Sequence, residues 1–361
     1  MTHSIKTIGT VLAAALLATL ALAGCKKEEP TSSFLLVGDS SIYFEYGQTK
    51  EVFYTTRNIA SFYLPSVPEG WSCVRQSGKY VITAPSEGDS GALSEGDIRV
   101  SADAGDRRIT RTITVAIRLA EEIVAPANSF IVSEPGKRYK FNARRRAGET
   151  AETLDATGAN IMWVTAGAPV GHVSLENGYL YFATADGAEL IPGNALVAAT
   201  DKTGKVLWSW HIWVTDYDPA VDYHTAAGAK VMARNLGALA GSNASAEDVR
   251  DSYGLYYQWG RKDPFPGPAA WNSTATEPLF TSLGRYTNLS FATSSDETGT
   301  LEYIASRPMT FIAGTEENDY AWLWDDSDDT LWGGSEGSGD SGAKTIYDPC
   351  PAGWRVASSD L

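Results

Sequence analysis

The stretch VLWSWHIWV at residues 206–214 decides the fold. Successive side chains of a β-strand point to opposite faces. One face would carry Trp208, Trp210, Ile212 and Val214, and the other Ser209, His211 and Trp213. Just before this stretch, DKTGK at residues 201–205 is typical of a hairpin turn, with Gly204 where a positive φ costs least. The pattern predicts a large, aromatic strand of a β-sandwich.

The tryptophans of this strand allow two interpretations. Exposed rings would form a platform that stacks on pyranose rings, with His211 orienting the ligand. Buried rings would serve the core of a sandwich, since one aromatic side chain buries about 150–250 Å². We favour the buried interpretation, and with it a His211 that is hydrogen-bonded within the sheet rather than catalytic.

Short strands separated by turn residues continue on the amino-terminal side. Within residues 34–119, the run at residues 108–117 alternates so that Ile109, Ile113, Val115 and Ile117 share one face. Residues 120–218 repeat the pattern with apolar runs at 130–132, 161–164, 178–182 and 195–199. Both segments therefore predict β-sandwiches.

The composition changes after residue 218. Six of the eleven tryptophans lie in residues 219–361, glycine is frequent and clean periodic runs are few. We expect a loop-rich, Trp-rich α+β domain here. The chain as a whole is predicted to be mainly β, with this domain following two sandwiches.

Several motifs resemble those of known surface proteins. The step Glu69-Gly70-Trp71 resembles one that recurs in immunoglobulin-like repeats of Bacteroides surface proteins. The segments at 126–132 and 207–213 together resemble an immunoglobulin-like module that precedes the C-terminal domain of fimbrillin-like lipoproteins. The resemblance implies that both predicted sandwiches are immunoglobulin-like.

The C-terminal segment carries three spaced blocks, VMARNLGA at 231–238, YGLYYQWGRKDPF at 253–265 and IYDPCPAGWRV at 346–356. In this order they resemble the Fibrobacter succinogenes major paralogous (FISUMP) domain as it occurs in fimbrillin-like proteins. In that family further sequence follows the last block and often ends in a strand with a second cysteine. By this comparison the domain at 219–361 looks truncated, and the pairing state of Cys350 stays open.

The amino terminus has the features of a lipoprotein signal peptide at residues 1–24. Lys6 precedes an apolar run at 8–23, and Leu22-Ala23-Gly24-Cys25 resembles the lipobox of bacterial lipoproteins. The resemblance implies a covalent lipid at Cys25, followed by a linker at 25–33. Lys26-Lys27-Glu28-Glu29 resembles the signal that exports lipoproteins of Bacteroides-type bacteria to the outer face of the outer membrane, although a solvated linker would have the same composition.

Charge and cysteine content exclude several classes of protein. The formal net charge is −15, and it becomes −16 after removal of residues 1–24, where Lys6 is the charged residue lost. Such a balance repels phosphate backbones, so we expect no nucleic-acid partner. Cys73 and Cys350 lie in different predicted domains, which does not suggest a disulfide framework.

Few residues suggest chemistry. Four carboxylates lie close together at Asp325, Asp326, Asp328 and Asp329. They lack the spacing of a calcium loop, so we favour a solvated acidic loop over a metal site and expect no cofactor besides the lipid. No nucleophile elbow, phosphate loop or HExxH motif occurs, and we expect no enzymatic activity.

Three functions remain open from the sequence. The first is adhesion or fimbria-associated binding, with the β-modules as a stalk and the C-terminal domain as the binding end. The second is capture of a glycan for polysaccharide uptake, and the third is a structural role in the cell envelope. The candidate ligand-binding residues are the tryptophans at Trp259, Trp271, Trp322, Trp324 and Trp332. Neither the ligand nor the oligomeric state follows from the sequence.

Overall fold

The computed structural model describes residues 32–325, 330–333 and 344–357. Within these residues the chain is mainly β and combines several sheets with little helix, which confirms the predicted fold class. No helix among them is long and apolar enough to cross a membrane. The predicted signal peptide, Cys25 and three of the four clustered aspartates (Asp326, Asp328 and Asp329) lie outside the described residues.

The first sandwich packs two four-stranded sheets face to face. Its strands are β1 (Ser33–Val37), β2 (Ser41–Phe44), β3 (Thr49–Arg57), β4 (Ser61–Phe62), β5 (Ser72–Gln76), β6 (Lys79–Thr83), β7 (Glu95–Asp103) and β8 (Arg108–Ile117). The sheets have the orders β1-β3-β6-β5 and β2-β8-β7-β4. The chain changes sheets after β1, so that β2 pairs in parallel with the last strand, β8, as in an immunoglobulin-like sandwich.

The core of this sandwich follows the predicted alternation. Ile113 and Val115 of β8 are fully buried, whereas Ile109 is half-buried against the same cluster. Trp71 is buried at the step that carries Gly70, and its indole nitrogen donates to the carbonyl of Leu93 at 2.8 Å. The tryptophan therefore fills the core while its polar atom is satisfied.

The second sandwich also consists of two sheets, one of which includes strands from the following domain. Its own strands are β9 (Ala120–Glu122), β10 (Ser129–Val132), β11 (Arg138–Asn142), β12 (Gly158–Val164), β13 (Val170–Glu176), β14 (Tyr179–Thr184), β15 (Gly193–Thr200) and β16 (Val206–Val214). One sheet has the order β13-β14-β11-β9. The other begins β10-β16-β15-β12, and β16 is the predicted tryptophan strand.

Strand β16 is buried on both faces. Trp208 and Trp210 belong to the sandwich core, where the Trp210 ring lies 5.0 Å from that of Phe141. Trp213, on the other face, is also fully buried. The core-packing interpretation is therefore confirmed, and the alternative of a sugar-binding platform on this strand is wrong, because no ring of the strand is exposed.

The C-terminal domain is irregular and contains short elements. They are β17 (Tyr223–Ala226), β18 (Ala229–Met232), α1 (Ala246–Ser252), β19 (Leu279–Phe280), β20 (Tyr286–Thr287), β21 (Ser290–Thr293), α2 (Leu301–Ser306), β22 (Thr310–Ala313) and a 3-10 helix (Glu316–Asn318). Strands β19 and β20 extend the large sheet of the second sandwich through the pairing of Val164 with Phe280. The domain is thus built onto the sandwich rather than tethered to it.

Polar contacts also join the two sandwiches. Lys50 of the first sandwich forms an ion pair with Glu176 of the second at 2.5 Å. The hydroxyl of Tyr43 donates to Asp186 at 2.7 Å, and the Tyr43 ring lies 4.2 Å from the ring of His172. Several contacts from one end of the first sandwich therefore hold the second in a defined orientation.

Candidate ligand-binding groove

The outer face of β16 supports the C-terminal domain through a buried polar seam. Lys262 and Asp263 form an ion pair at 2.5 Å in which each side chain is 2% exposed. The Lys262 ammonium also donates to the hydroxyl and the carbonyl of Ser209 on β16, at 2.6 and 2.9 Å. Burial lowers the pKa of Lys262, and the neighbouring Asp263 carboxylate opposes that shift. Buried charges that are paired in this way tie the domain to the sandwich.

His211 occupies the centre of the same face. Its Nδ1 lies 2.9 Å from the Ser129 hydroxyl, and its Nε2 lies 2.9 Å from Oδ1 of Asn194. Asn194 in turn donates to the carbonyl of Gly237 in the C-terminal domain at 2.9 Å. Burial lowers the pKa of His211 to about 3, so the ring is neutral at physiological pH.

This Ser129-His211-Asn194 arrangement has the residue types of a hydrolytic triad. All three side chains are buried, and His211 is 0% exposed. A nucleophile must reach its substrate, whereas this serine is covered by the C-terminal domain. The arrangement therefore serves packing between the sandwich and the domain.

The block at residues 346–356 closes the seam. Asp348 is fully buried and accepts hydrogen bonds from the backbone nitrogens of Cys350 and Val356, at 2.7 and 2.9 Å. Lys344 donates to Asp348 at 2.9 Å. Asn128, next to β10, donates to the carbonyl of Asp348 at 2.8 Å. The Asp348 carboxylate thus holds the block together, and the Asn128 amide fastens the block to the sandwich.

On this support lies an aromatic groove of about 550 Å³. It falls within the range of about 300–1,000 Å³ that is usual for small-molecule sites. Two aromatic side chains present exposed rings there, because Trp259 is 41% and Tyr320 is 70% exposed. The lining residues are Tyr257, Gln258, Trp259, Phe311, Ile312, Ala313, Gly314, Tyr320, Ala321, Trp322 and Leu323.

The backbone around Trp259 is held firmly. The indole nitrogen of Trp322 donates to the Trp259 carbonyl, and the Trp332 ring lies 6.4 Å from the Trp259 ring. The next residue, Gly260, has a φ of +76° and packs so closely on Leu331 that a Cβ would collide with it. Trp259 is therefore presented by a rigid turn rather than by a mobile loop.

Gln258 joins this turn to strand β22. Its amide donates to the Ile312 carbonyl at 2.7 Å and accepts from the Ile312 nitrogen at 3.2 Å. The Arg261 guanidinium donates to the same glutamine at 2.8 Å and to the carbonyl of Thr310 at 2.7 Å. Both sides of the groove floor are consequently cross-linked by hydrogen bonds.

The opposite side is formed by an unusual turn. Asp319 and Tyr320 have φ values of +53° and +61°, a conformation that non-glycine residues seldom adopt. Asn318 stabilises the turn by donating to the Ala321 carbonyl at 2.6 Å and accepting from the Thr315 nitrogen at 2.8 Å. Gly314 lies against the Tyr320 carbonyl, where a Cβ would overlap the backbone. Such strain, held in place by its surroundings, is common at binding sites.

The predicted tryptophan candidates separate into two groups. Trp259 and Trp322 line the groove, although Trp322 is buried and belongs to its floor. Trp332 is half-buried behind Trp259, and its indole nitrogen donates to the Arg261 carbonyl at 3.0 Å. Trp324 is half-buried and Trp271 is 53% exposed, and neither lines the groove.

Tyr320 did not emerge from the sequence. A tyrosine in a polar turn has no signal of its own, and its exposure depends on the left-handed backbone that the Asn318 contacts stabilise. The signal that could have found it is the Asn-Asp pair at 318–319, since these residue types favour the left-handed region.

The metal candidates and the thiols are less informative. Among residues 32–325, 330–333 and 344–357, no group of three histidine, cysteine, aspartate or glutamate side chains could hold a metal ion. Asp325 is exposed, while its three neighbours lie outside that part of the chain. Cys73 is half-buried and Cys350 is buried, and both are free thiols whose pKa is raised by burial.

Comparisons with known proteins do not assign this chain to a family. The sequence matches no protein-family profile and no curated protein. A chimeric titin Z1Z2 structure aligns over 52% of this chain and 97% of its own, with 12% identity and a TM-score of 0.18. SGBP-B of the Bacteroides ovatus mixed-linkage glucan utilization locus, in complex with a mixed-linkage heptasaccharide, is a second match. The alignment covers 52% of this chain and 45% of SGBP-B, with 14% identity and a TM-score of 0.16. A structure of three N-terminal domains of the bacteriophage RB49 outer capsid protein Hoc is a third match. The alignment covers 51% of this chain and 70% of that structure, with 11% identity and a TM-score of 0.18. Likenesses at these TM-scores say nothing about the ligand of this chain.

Proposed function

We propose that this protein is a surface lipoprotein of a Bacteroides-type outer membrane that captures carbohydrate through its C-terminal domain. In this proposal Cys25 carries the lipid, the two sandwiches form the stalk and the FISUMP-like domain is the binding end. The aromatic groove between Trp259 and Tyr320 is the observation that carries it. Pyranose rings have apolar C–H faces, and such faces pack on exposed aromatic rings that a rigid backbone holds in position.

The rigidity of the groove favours binding over mere surface exposure. A side chain that is already ordered loses little conformational entropy when a ligand covers it. Trp259 stands on a turn whose carbonyl is held by Trp322, and Tyr320 stands on a turn that Asn318 stabilises. The lining also contains no catalytic pair of carboxylates, which is why we propose capture without hydrolysis.

The arrangement of the modules supports a display role. Seven residues lie between Cys25 and Ser33 at the start of β1, so the eight steps of a fully extended linker would span at most about 29 Å. The ionic and aromatic contacts between the sandwiches, which include Lys50–Glu176 and Tyr43–His172, oppose bending of the stalk. A short linker and a stiff stalk would hold the groove away from the membrane.

A second candidate function is fimbria-associated adhesion. It is favoured by the hairpin of β17 and β18, which forms a two-stranded sheet within the described residues. A cavity of about 790 Å³ lies beside it, with Val231, Met232 and Trp354 among its lining. The cavity has a mixed lining that also includes Lys230 and Arg234. A strand edge next to a cavity that can take side chains is the geometry of strand addition by a partner protein.

A glycan array tests the proposed function. The chain from residue 26 onward, which retains every described residue, should bind at least one carbohydrate reproducibly. The Tyr320→Ala variant should lose that binding while it keeps the same thermal unfolding midpoint, because the Tyr320 ring is mostly exposed. Absence of binding across a broad array, together with co-purification of a fimbrial subunit, would instead favour adhesion.

A further inference from the structure

The groove has a distinctive distribution of charge. None of the described residues that line it is an aspartate, glutamate, lysine, arginine or histidine. Its polar atoms come from the backbone, from tyrosine and tryptophan rings and from the amide of Gln258, which already bonds to Ile312. A ligand would therefore meet an uncharged surface between the two exposed rings.

Arg261 lies close behind this surface but cannot reach a ligand. Arg261 is fully buried and donates to Gln258 and to the Thr310 carbonyl. Its guanidinium lies 4.9 Å from the ring centre of Phe265 and 5.8 Å from that of Trp322. Burial lowers the pKa of Arg261 to about 10, which still leaves it protonated at pH 7. The positive charge thus lies behind the aromatic floor, where it cannot form an ion pair with a ligand.

Carboxylates border the Tyr320 side of the groove. Glu316 and Glu317 belong to the 3-10 helix and Asp319 directly precedes Tyr320, and all three residues are exposed. The Tyr320 hydroxyl donates to Glu316 at 3.2 Å. The chain is also strongly acidic as a whole, with a formal net charge of −15. Sulfate and uronate groups would be repelled here, and the described lining residues offer them no arginine or lysine to replace their water.

These observations lead us to infer that the groove binds a neutral glycan and excludes acidic ones. The inference rests on the proposed carbohydrate-binding function and defines its substrate class. The apolar face of the sugar covers Trp259, and its hydroxyl groups donate to the acidic rim. Carboxylates accept hydrogen bonds from hydroxyls without any change in the charge of the ligand.

Matched pairs of polysaccharides test this inference, because the two members share a backbone and differ in charge. We would use affinity electrophoresis of the chain from residue 26 onward in hydroxyethylcellulose against carboxymethylcellulose, in methyl-esterified against de-esterified homogalacturonan, and in glycol chitin against glycol chitosan. For a bound backbone that has an anionic member, the neutral member should bind at least about tenfold more tightly than the anionic one. Glycol chitin should bind at least as tightly as the cationic glycol chitosan. The affinity for the neutral member should change little between about 0.05 M and 0.5 M salt.

A rim variant separates exclusion by charge from a difference in shape. Glu316→Gln, Glu317→Gln and Asp319→Asn together remove three charges, and asparagine tolerates the left-handed backbone at position 319. Amide oxygens accept hydroxyl hydrogen bonds more weakly than carboxylates do, so binding of the neutral member should weaken somewhat. The ratio of the neutral to the anionic affinity should nevertheless fall toward one, because the repulsion of the anionic member is removed. An unchanged ratio in this variant would contradict the role of the rim.

Other outcomes overturn either the inference or the proposed function. Tighter binding to the anionic or the cationic member, if lost in Trp259→Ala, would refute neutral specificity but keep the carbohydrate function. Absence of binding to all six polymers and to a glycan array would refute the proposed function itself. Binding that persists in Trp259→Ala would place the carbohydrate site elsewhere and refute the assignment of the groove.

Discussion

The substitution Asp263→Asn should destabilise the second sandwich and the C-terminal domain together. In the native protein the Lys262 ammonium lies 2.5 Å from the Asp263 carboxylate, and both side chains are 2% exposed. After the substitution, the ammonium would keep the neutral Ser209 oxygens as its acceptors, at 2.6 and 2.9 Å. Breaking a buried ion pair on one side typically costs about 3–5 kcal/mol, because the remaining charge stays buried without compensation. We expect a loss in this range.

Urea unfolding followed by tryptophan fluorescence measures this loss. The matched control is Asp216→Asn, which removes a carboxylate that is 82% exposed and pairs with Arg234 at 3.2 Å. An exposed pair contributes about 0–1 kcal/mol, so the control should unfold almost like the wild type. Replacing both partners, with Lys262→Met and Asp263→Leu, should recover much of the stability. Equal effects of the two asparagine substitutions would refute the reasoning.

Further predictions concern acid stability, the Tyr320 turn and the thiols. The pKa of His211 is about 3 in the folded state against about 6.5 when unfolded, so acid favours unfolding, and stability should fall by about 2 kcal/mol from pH 7 to pH 5 in urea titrations. His211→Gln should flatten that dependence, and an unchanged profile would contradict it. Gly314→Ala should cost about 1–3 kcal/mol by thermal unfolding because its Cβ overlaps the Tyr320 backbone, whereas Gly171→Ala, with open space around it, should cost less than about 1 kcal/mol. Cys73 and Cys350 should react with a thiol reagent at pH 8 far more slowly in the folded than in the unfolded protein, because burial raises both pKa values, and rapid native labelling would contradict this.

The sandwiches could be predicted because their strands carry their own signal. The alternation at residues 108–117 corresponds to β8, and the turn with Gly204 leads into β16 as expected. In such strands every second side chain faces the core, so the alternation of apolar residues identifies the buried face. The apolar faces of two such sheets then pack against each other. The alternation placed Trp208 and Trp210 on one face and favoured its burial, and the structure shows both rings in the core.

The other face of β16 could not be assigned from its own residues. Ser209 and His211 would suit a solvated face, yet both are fully buried beneath the C-terminal domain. Ser209 is covered by Lys262 and Asp263, which follow some fifty residues later in the chain. Contacts over such distances have no periodic signature, so the sequence favoured a hydrogen-bonded His211 but could not identify the residues that cover this face.

The groove could likewise be predicted only in part from the sequence. Aromatic residues made Trp259 and Trp322 candidates, but sequence cannot distinguish an exposed ring from a buried one. The difference arises because the Trp322 indole turns inward to bond with the Trp259 carbonyl. Tyr320 depends on a strained turn and on Gly314, neither of which follows from hydrophobic patterning.

Titration of a carbohydrate into two single-tryptophan variants tests the central claim most directly. Trp259→Ala removes an exposed ring inside the groove, and Trp271→Ala removes a ring of similar exposure outside it. With a glycan identified on the array, calorimetry should show a loss of affinity of about tenfold or more for Trp259→Ala. Trp271→Ala should bind like the wild type. Equal affinity of wild type and Trp259→Ala, or a selective loss in Trp271→Ala, would contradict the assignment of the groove as the binding site.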